Sequence, residues 1–405
     1  MEGNNIDTSH VWYPDWTQIK PNVSTGKPHG EIGDGPNNSS AKQKDLRAQL
    51  LLEYRINDKQ LLTWNTNGRG AWFKNRDSLA DAAAGRTVSG YPGKLYTAVS
   101  GLSLESELFD DRLVNLAGLK LYHYRYRVTE SFQGLAASLV TNYDKKTSVG
   151  FSESFRLTIV KPLFFNAGYQ HSLRIPDKDE LFGDGAFITP NSKLKAESAD
   201  NFHAGFLFDS WDFPFLTRAQ LDVHGFCYFI KDMIRLKSNG MMSMAYYNVE
   251  NVRILGTDAE LKVDFTDWLY AWSNLTLQNP VCTKSSESST LAGKQVPNIP
   301  TFFVNFGAEL CKEGLFVHHG FGKLFWSGGY TEDFYFNWKT TSQSRSRMIP
   351  SSFTMDAGIE YSLFDTKLSF CAEVRNITGK ETFDEYNTPL PGRSFALKVR
   401  GSFVK

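Results

Sequence analysis

Nowhere in the 405 residues is there an apolar run of roughly 18 residues, so no segment has the character of a membrane-crossing helix. Mean hydropathy is -0.36, which agrees. Net charge is missing too. The 44 Lys and Arg balance 44 Asp and Glu, and without a basic excess the chain has no overall counterion-releasing character for a phosphate backbone. Nucleic acid is therefore not expected as a partner. Cysteine is scarce. Cys227, Cys282, Cys311 and Cys371 show neither the close pairing of a zinc site nor the density of a disulfide scaffold, and their redox state stays open. The opening residues, Met1 to Thr8, have neither the basic start nor the apolar stretch of a secretory signal. No segment of useful length repeats with helical period, and there is no tandem repeat or Gly-rich phosphate loop. No catalytic constellation stands out, so the chain is not read as an enzyme, and no cofactor or metal is expected.

Aromatic residues are plentiful, at 14% of the chain. The first 45 residues carry Pro14, Pro21, Pro28 and Pro36 among Gly, Asn and Ser and read as irregular, loop-like sequence. From about Arg47 onward, stretches alternate apolar with polar side chains. Successive strand residues point to opposite faces, so each stretch has one apolar and one polar face. Leu368, Phe370, Ala372 and Val374 share a face, opposite Ser369, Cys371, Glu373 and Arg375. Phe395, Leu397, Val399 and Phe403 oppose Ala396, Lys398, Arg400 and Ser402. Ala259, Leu261, Val263 and Phe265 oppose Glu260, Lys262 and Asp264.

A soluble β-sandwich alternates as well, but its strands are usually nearer five or six residues long. These segments are longer, and roughly 9 to 11 residues is what a tilted strand needs to cross a bilayer. The expected fold is all-β, a transmembrane antiparallel β-barrel with the apolar row on lipid and the charged row on a wet lumen. Two alternatives stay open. A soluble β-rich binding protein or hydrolase would need no detergent, and a passive porin-like channel would conduct ions unaided.

Short connections, such as Asn57-Asp58-Lys59, Lys161-Pro162, Thr266-Asp267, Lys312-Glu313-Gly314 and Phe364-Asp365, alternate with long ones. The long ones run over 67–93, 176–199, 279–300, 327–350 and 378–392. Outer-membrane barrels alternate tight turns and extended loops in this way. About fifteen strands are expected, with a further one conceivable over Gln133–Val140. Single-chain bacterial barrels have even counts, so an odd number suggests part of a larger barrel.

Arg174-Ile175-Pro176 with Glu180-Leu181-Phe182, then Asn191-Ser192-Lys193-Leu194 with Lys195-Ala196-Glu197-Ser198, resembles two boxes of the TonB-dependent outer-membrane receptors. Those boxes read Arg-x-Pro, Glu-Leu-Tyr/Phe and Asn-Pro-x-Leu, Lys-Pro-Glu-x-Ser. Here Pro190 precedes Asn191, and Ala196 stands at the usual proline. Asn248 to Glu260 is similar to the family's Asn...Arg...Gly-x-x-x-Glu strand, and Val296-Pro297-Asn298-Ile299-Pro300 to its pre-strand proline pair. Asn376-Ile377-Thr378-Gly379 and Leu390-Pro391-Gly392-Arg393 are similar to its closing signatures, with Gly379 at the usual acidic position. The family ends on an aromatic residue, whereas here Val404 and Lys405 follow Phe403.

The resemblance implies a receptor for TonB-dependent uptake of a scarce nutrient of the ferric siderophore, haem or cobalamin class, in the outer membrane of a Gram-negative cell. Residues 1–45 would be an extracellular-loop-like segment. Residues 46–405 would form the C-terminal part of a barrel of about 22 strands. The resemblance also leads us to expect that signal, plug and TonB-engaging segment are not in this chain, so TonB would be reached only through such a plug. Other implied partners are outer-membrane lipid, the barrel-assembly machinery and a small-molecule or metal-chelate ligand.

Arg174, Glu180, Phe182, Tyr330, Tyr335 and Trp338 are the ligand-contact candidates, at outer strand ends or loops. Against that, Arg174, Glu180 and Glu197 have the charges to pair with one another and shape the loop. The aromatic candidates suit an interfacial belt as well as ligand stacking. Glu260, Lys262, Asp264, Glu373, Arg375, Lys398 and Arg400 are expected on the lumen side, to meet a plug or simply to keep the interior wet. His318 and His319, expected on a strand, would point to opposite faces and share no metal. Met241, Met242 and Met244 offer sulfur but no accompanying His or Cys, which favours loop packing.

Overall fold

The computed structural model describes residues 2–4, 39–77, 92–131, 139–183, 188–210, 216–238, 244–285, 291–339, 348–385 and 388–402. One 17-stranded sheet dominates. Two of its members are short, Glu2–Asn4 and Ile188–Thr189, and the other fifteen are long. In chain order these are β1 (Ser39–Asn57), β2 (Gln60–Asp77), β3 (Pro92–Leu108), β4 (Leu113–Ser131), β5 (Leu139–Val160), β6 (Leu163–Arg174), β7 (Glu197–Ser210) and β8 (Arg218–Ser238). There follow β9 (Met244–Thr266), β10 (Leu269–Lys284), β11 (Phe302–Glu313), β12 (Phe321–Thr331), β13 (Ser352–Leu363), β14 (Leu368–Arg375) and β15 (Ser394–Gly401).

Each long strand pairs antiparallel with the next, in sequence order from β1 to β15. Tight turns at one end and longer connections at the other follow from that meander. Among the described residues, β1 and β15 do not pair with each other. The outer edge of β1 is met, among the described residues, only by Glu2–Asn4, opposite Asp45 to Arg47.

The ladder extends the strands beyond what alternation alone marks. β1 begins at Ser39 rather than near 46, and β2 continues to Asp77 through Gly68-Arg69-Gly70, where glycine suggests a break. Above the apolar band the two faces no longer contrast, since Ala71 and Phe73 turn inward and Trp72 outward, so no hydrophobic period shows, yet the backbone groups still pair. Leu139 and Val140 belong to β5, and 132–138 lie outside the described residues. A single helix appears among the described residues, α1 at Lys178–Phe182.

One face of the wall is an exposed apolar row: Leu102, Leu119, Leu121, Val149 and Phe151 lie between 46% and 55% exposed. The expected lipid-facing row of the last two strands is likewise exposed, with Leu397 at 86% and Phe395 at 76%. Phe403 lies outside the described residues. No second sheet covers this face among the described residues. The buried residues sit on the opposite, inward face, towards the long connections.

Candidate functional site

The long connection after β6 turns inward and fills the interior. Pro176 releases the chain from β6, and Asp177 caps α1 in a capping box. The Asp177 carboxylate accepts from the Lys178 N–H at 2.7 Å, and Glu180 Oε2 accepts from the Asp177 N–H at 2.8 Å. Gly183 ends the helix with φ 68°, and a Cβ there would collide with the Ile188 carbonyl oxygen. Leu181, Phe182, Leu194 and Ala196 are thereby buried against Ala71 and Phe73 of β2, Leu95 of β3, Tyr124 and Tyr126 of β4, and Ile234 of β8. β8 is not a neighbour of β2 to β4 in the sheet, so the connection bridges the interior between them.

Its polar anchors account for the motif residues. Arg174 Nη1 donates to Glu180 Oε1 at 2.8 Å, and Nε lies 3.4 Å from Glu197 Oε2, the internal pairing that the charges allowed. Glu197 Oε2 also accepts from the Ile234 N–H at 2.9 Å. Asn248 takes the Lys195 N–H at 2.9 Å and gives to the Lys195 carbonyl at 3.0 Å, so its amide imitates a strand partner. Asn191 donates to the Tyr246 carbonyl at 2.7 Å, and the Tyr126 hydroxyl to that of Ser192 at 2.8 Å. At the other end of the chain, Asn376 donates to the Lys380 carbonyl at 2.8 Å, and Arg393 to that of Ile377 at 2.7 Å.

A second buried cluster joins Phe226, Val249, Val252, Ile254, Cys282 and Leu291 with Val296, and Trp338 and Tyr247 pack against it. Asp232, with φ 55°, kinks β8, so that Met233 joins this cluster while Ile234 enters the first. At its rim, Trp338 Nε1 donates to the Tyr247 hydroxyl at 2.7 Å, and Lys237 Nζ stands 5.2 Å over the Tyr247 ring. Lys339 Nζ stands 5.6 Å over Tyr335. Aromatic faces and cations together form a surface suited to an anionic, partly aromatic ligand. Tyr247 and Lys237 were not singled out from sequence. Their one local signal is a Tyr-Tyr pair entering a strand.

The sequence candidates separate by position. Phe182 is 6% exposed and stacks on Phe73 with centroids 5.9 Å apart, so it is a packing residue rather than an open ligand contact. Tyr330 pairs with Val304 and lies against Phe302 at 6.1 Å, on the outward face, where it suits the interfacial belt. Tyr335 and Trp338 stand at the rim of the second cluster, apart from Arg174 and Glu180 in the first.

The charged set lines the inward face. Lys262 contacts Glu260 at 2.7 Å, and Glu373 contacts Arg375 at 2.6 Å and Lys398 at 2.7 Å. Asp264 sits in the same register row as Arg218. Glu309, Lys323, Glu360, Glu373, Lys398 and Arg400 line a half-open recess of about 360 Å³.

His318 and His319 lie in the turn between β11 and β12, not on a strand. Gly314, with φ 66°, ends the ladder, and their ring centroids come within 4.9 Å. His319 contacts Asp365 at 3.0 Å. No group of three metal-ligating side chains occurs among the described residues. Met241 and Met242 lie outside the described residues, and Met244 begins β9.

No curated protein sequence matches the chain. Among solved structures, the copper transporter OprC is similar, with a TM-score of 0.69, 17% identity, and coverage of 94% of this chain and 59% of that one. The FrpB iron transporter from Neisseria meningitidis (F3-3 variant) aligns with TM-score 0.61, 15% identity and coverage of 90% and 56%. The ferric yersiniabactin uptake receptor FyuA from Yersinia pestis aligns with TM-score 0.62, 13% identity and coverage of 92% and 54%. The chain thus spans between 54% and 59% of the length of these three structures. At such identities the likeness is one of fold. The description "TonB dependent receptor-like, beta-barrel" matches residues 4–377. The chain belongs to the β-barrel family of the TonB-dependent receptors, a family of outer-membrane receptors and not of enzymes.

Proposed function

We propose that this wall captures an anionic metal chelate or tetrapyrrole, of the ferric siderophore, haem or cobalamin class, for TonB-dependent uptake. The observation that carries the reading is the rim group in which Lys237 covers Tyr247 and Trp338 donates to its hydroxyl. A cation beside an aromatic face attracts an anionic aromatic ligand by charge and by stacking together. Energy coupling is the work of the family's plug and TonB-engaging segment. The inward charges from Glu260 to Arg400 are the surface such a plug would meet. Barrel-assembly machinery would insert the wall into the membrane.

The full chain, refolded in detergent, is titrated with ferric enterobactin-type catecholate, ferric hydroxamate, haemin and cobalamin while tryptophan emission is followed. Saturable quenching by at least one probe, weakened about tenfold or more by Tyr247→Ala, is expected. Absence of saturable binding by every probe would end this reading. Expressed alone in a receptor-null strain, residues 1–405 are expected to accumulate no labelled ligand through TonB. Accumulation would show that the wall needs no plug.

A further inference from the structure

We infer that the outward face of β1 to β5 carries a binding site for the phosphorylated headgroup of an anionic outer-leaflet glycolipid. The inference rests on the family's outer-membrane location and not on the ligand proposed above.

Lys94 and Arg127 lie directly opposite on β3 and β4, and Arg125 and Lys145 directly opposite on β4 and β5. All four side chains are exposed. The row extends sideways, since Lys94 faces Trp72 and Trp72 faces Lys44 on β1. None of the four cations makes an ion pair with a carboxylate among the described residues. Like charges directly opposite across strands are unfavourable by themselves. An anion between them removes that cost, and two such pairs side by side suit a headgroup with more than one phosphate.

The face is the lipid one. Arg125 and Arg127 share their side of β4 with Leu119 and Leu121, whereas the intervening Tyr124 and Tyr126 are buried inward against the folded connection. No register shift interrupts β3 to β5, so this parity holds along their length. From Leu119 to Arg125 is ~20 Å of strand at ~3.4 Å per residue. At a tilt of about 45° this is ~14 Å of height, which carries the guanidinium out of an apolar band ~25 Å tall to headgroup level. The end concerned bears the long connections, which in this family face outward from the cell.

Aromatic side chains frame the cations. Arg125 lies 5.0 Å over the Tyr96 ring, and Trp72 meets Tyr96 edge-on at 5.6 Å. Such rings sit at membrane interfaces and hold neighbouring cations in place. On β8 and β9 the exposed outward cations Lys231 and Arg253 have Asn251 and Phe229 opposite, not another cation. Lys42 and Lys74 are also directly opposite, on β1 and β2, so the paired arrangement belongs to the outward face of β1 to β5.

The test uses the full chain, purified, delipidated and mixed with lipid A carrying two phosphates, with bound lipid counted by native mass spectrometry. Replacing Lys94, Arg125, Arg127 and Lys145 with Ala is expected to weaken retention at least about tenfold, and raising salt to weaken it in the unaltered chain. Lys231→Ala with Arg253→Ala is expected to change it less than about twofold. Dephosphorylated lipid A should bind at least about tenfold more weakly, and millimolar inorganic phosphate should not displace the glycolipid. Equal retention by the quadruple variant, or equal binding of the dephosphorylated lipid, would overturn the inference. Complete displacement by inorganic phosphate would overturn it too, in favour of a small-anion site. If the quadruple variant loses its β-sheet circular dichroism, Arg125→Gln with Lys145→Gln replaces it in the comparison under the same criteria.

Discussion

Arg69 Nη1 lies 2.8 Å from Asp177 Oδ1, while its Nε and Nη2 hold Asp45 at 2.9 and 2.6 Å. One guanidinium on β2 thus ties the first strand to the cap of the helix folded into the interior. Removing one member of a largely buried ion pair leaves the other charge uncompensated. Arg69→Leu is expected to cost about 3 kcal/mol in urea unfolding of the vesicle-inserted protein and to speed amide exchange of 175–183. Exchange there at the unaltered rate would show that the connection is held without Arg69.

Phe182 covers Gly93 so closely that a Cβ on that glycine would come within 2.8 Å of the ring. Gly93→Ala is expected to destabilise the protein by about 1–3 kcal/mol through overpacking, and Phe182→Ala by about 3 kcal/mol through the cavity it leaves. The double variant should lose less than the sum of the two, because the small ring site accommodates the added methyl. Additive losses in the same unfolding experiment would separate the two residues.

Asn248 makes three hydrogen bonds to backbone groups, with Lys195 N–H, the Lys195 carbonyl and the Asp232 carbonyl, the last at 2.7 Å. Asn248→Ala strands part of this set and is expected to cost about 2 kcal/mol. Asn248→Asp keeps the acceptor but loses both donations, so it should recover little. Full recovery by Asp, read from urea midpoints, would contradict the bonding described.

On the outward face, Glu153 places a carboxylate within the apolar band. Glu153 stands opposite Ala117 and takes a hydrogen bond from the Asn115 amide. Leu119→Arg is expected to cost about 2–4 kcal/mol in a bilayer, whereas replacing Glu153 and Asn115 together with Leu should raise stability. A neutral Leu119→Arg, measured by unfolding from vesicles, would place water and not lipid on this face.

Much of this architecture is legible in the chain because a wall between lipid and water needs a two-residue alternation at every crossing. Leu368, Phe370 and Val374 against Glu373 and Arg375 mark their strand without reference to anything remote. Turn residues such as Lys161-Pro162 punctuate it. The number of long strands is legible for the same reason. Their true length is not, since Lys42 to Asp45 and Arg69 to Phe73 stand where both faces lose the contrast on which periodicity depends.

Phe182 shows most clearly what local pattern leaves out. Its place in a Glu-Leu-Phe box suggests exposure on a loop, yet it stacks on Phe73, more than a hundred positions away. Such a contact depends on a connection crossing the interior, which no local pattern encodes. The same holds for Trp338 on Tyr247, and for the four cations of β3 to β5. Alternation assigns each of those to a face. Only the register of neighbouring strands sets Lys94 against Arg127 and Arg125 against Lys145, because pairing is a relation between segments and every side chain's neighbour shifts with it.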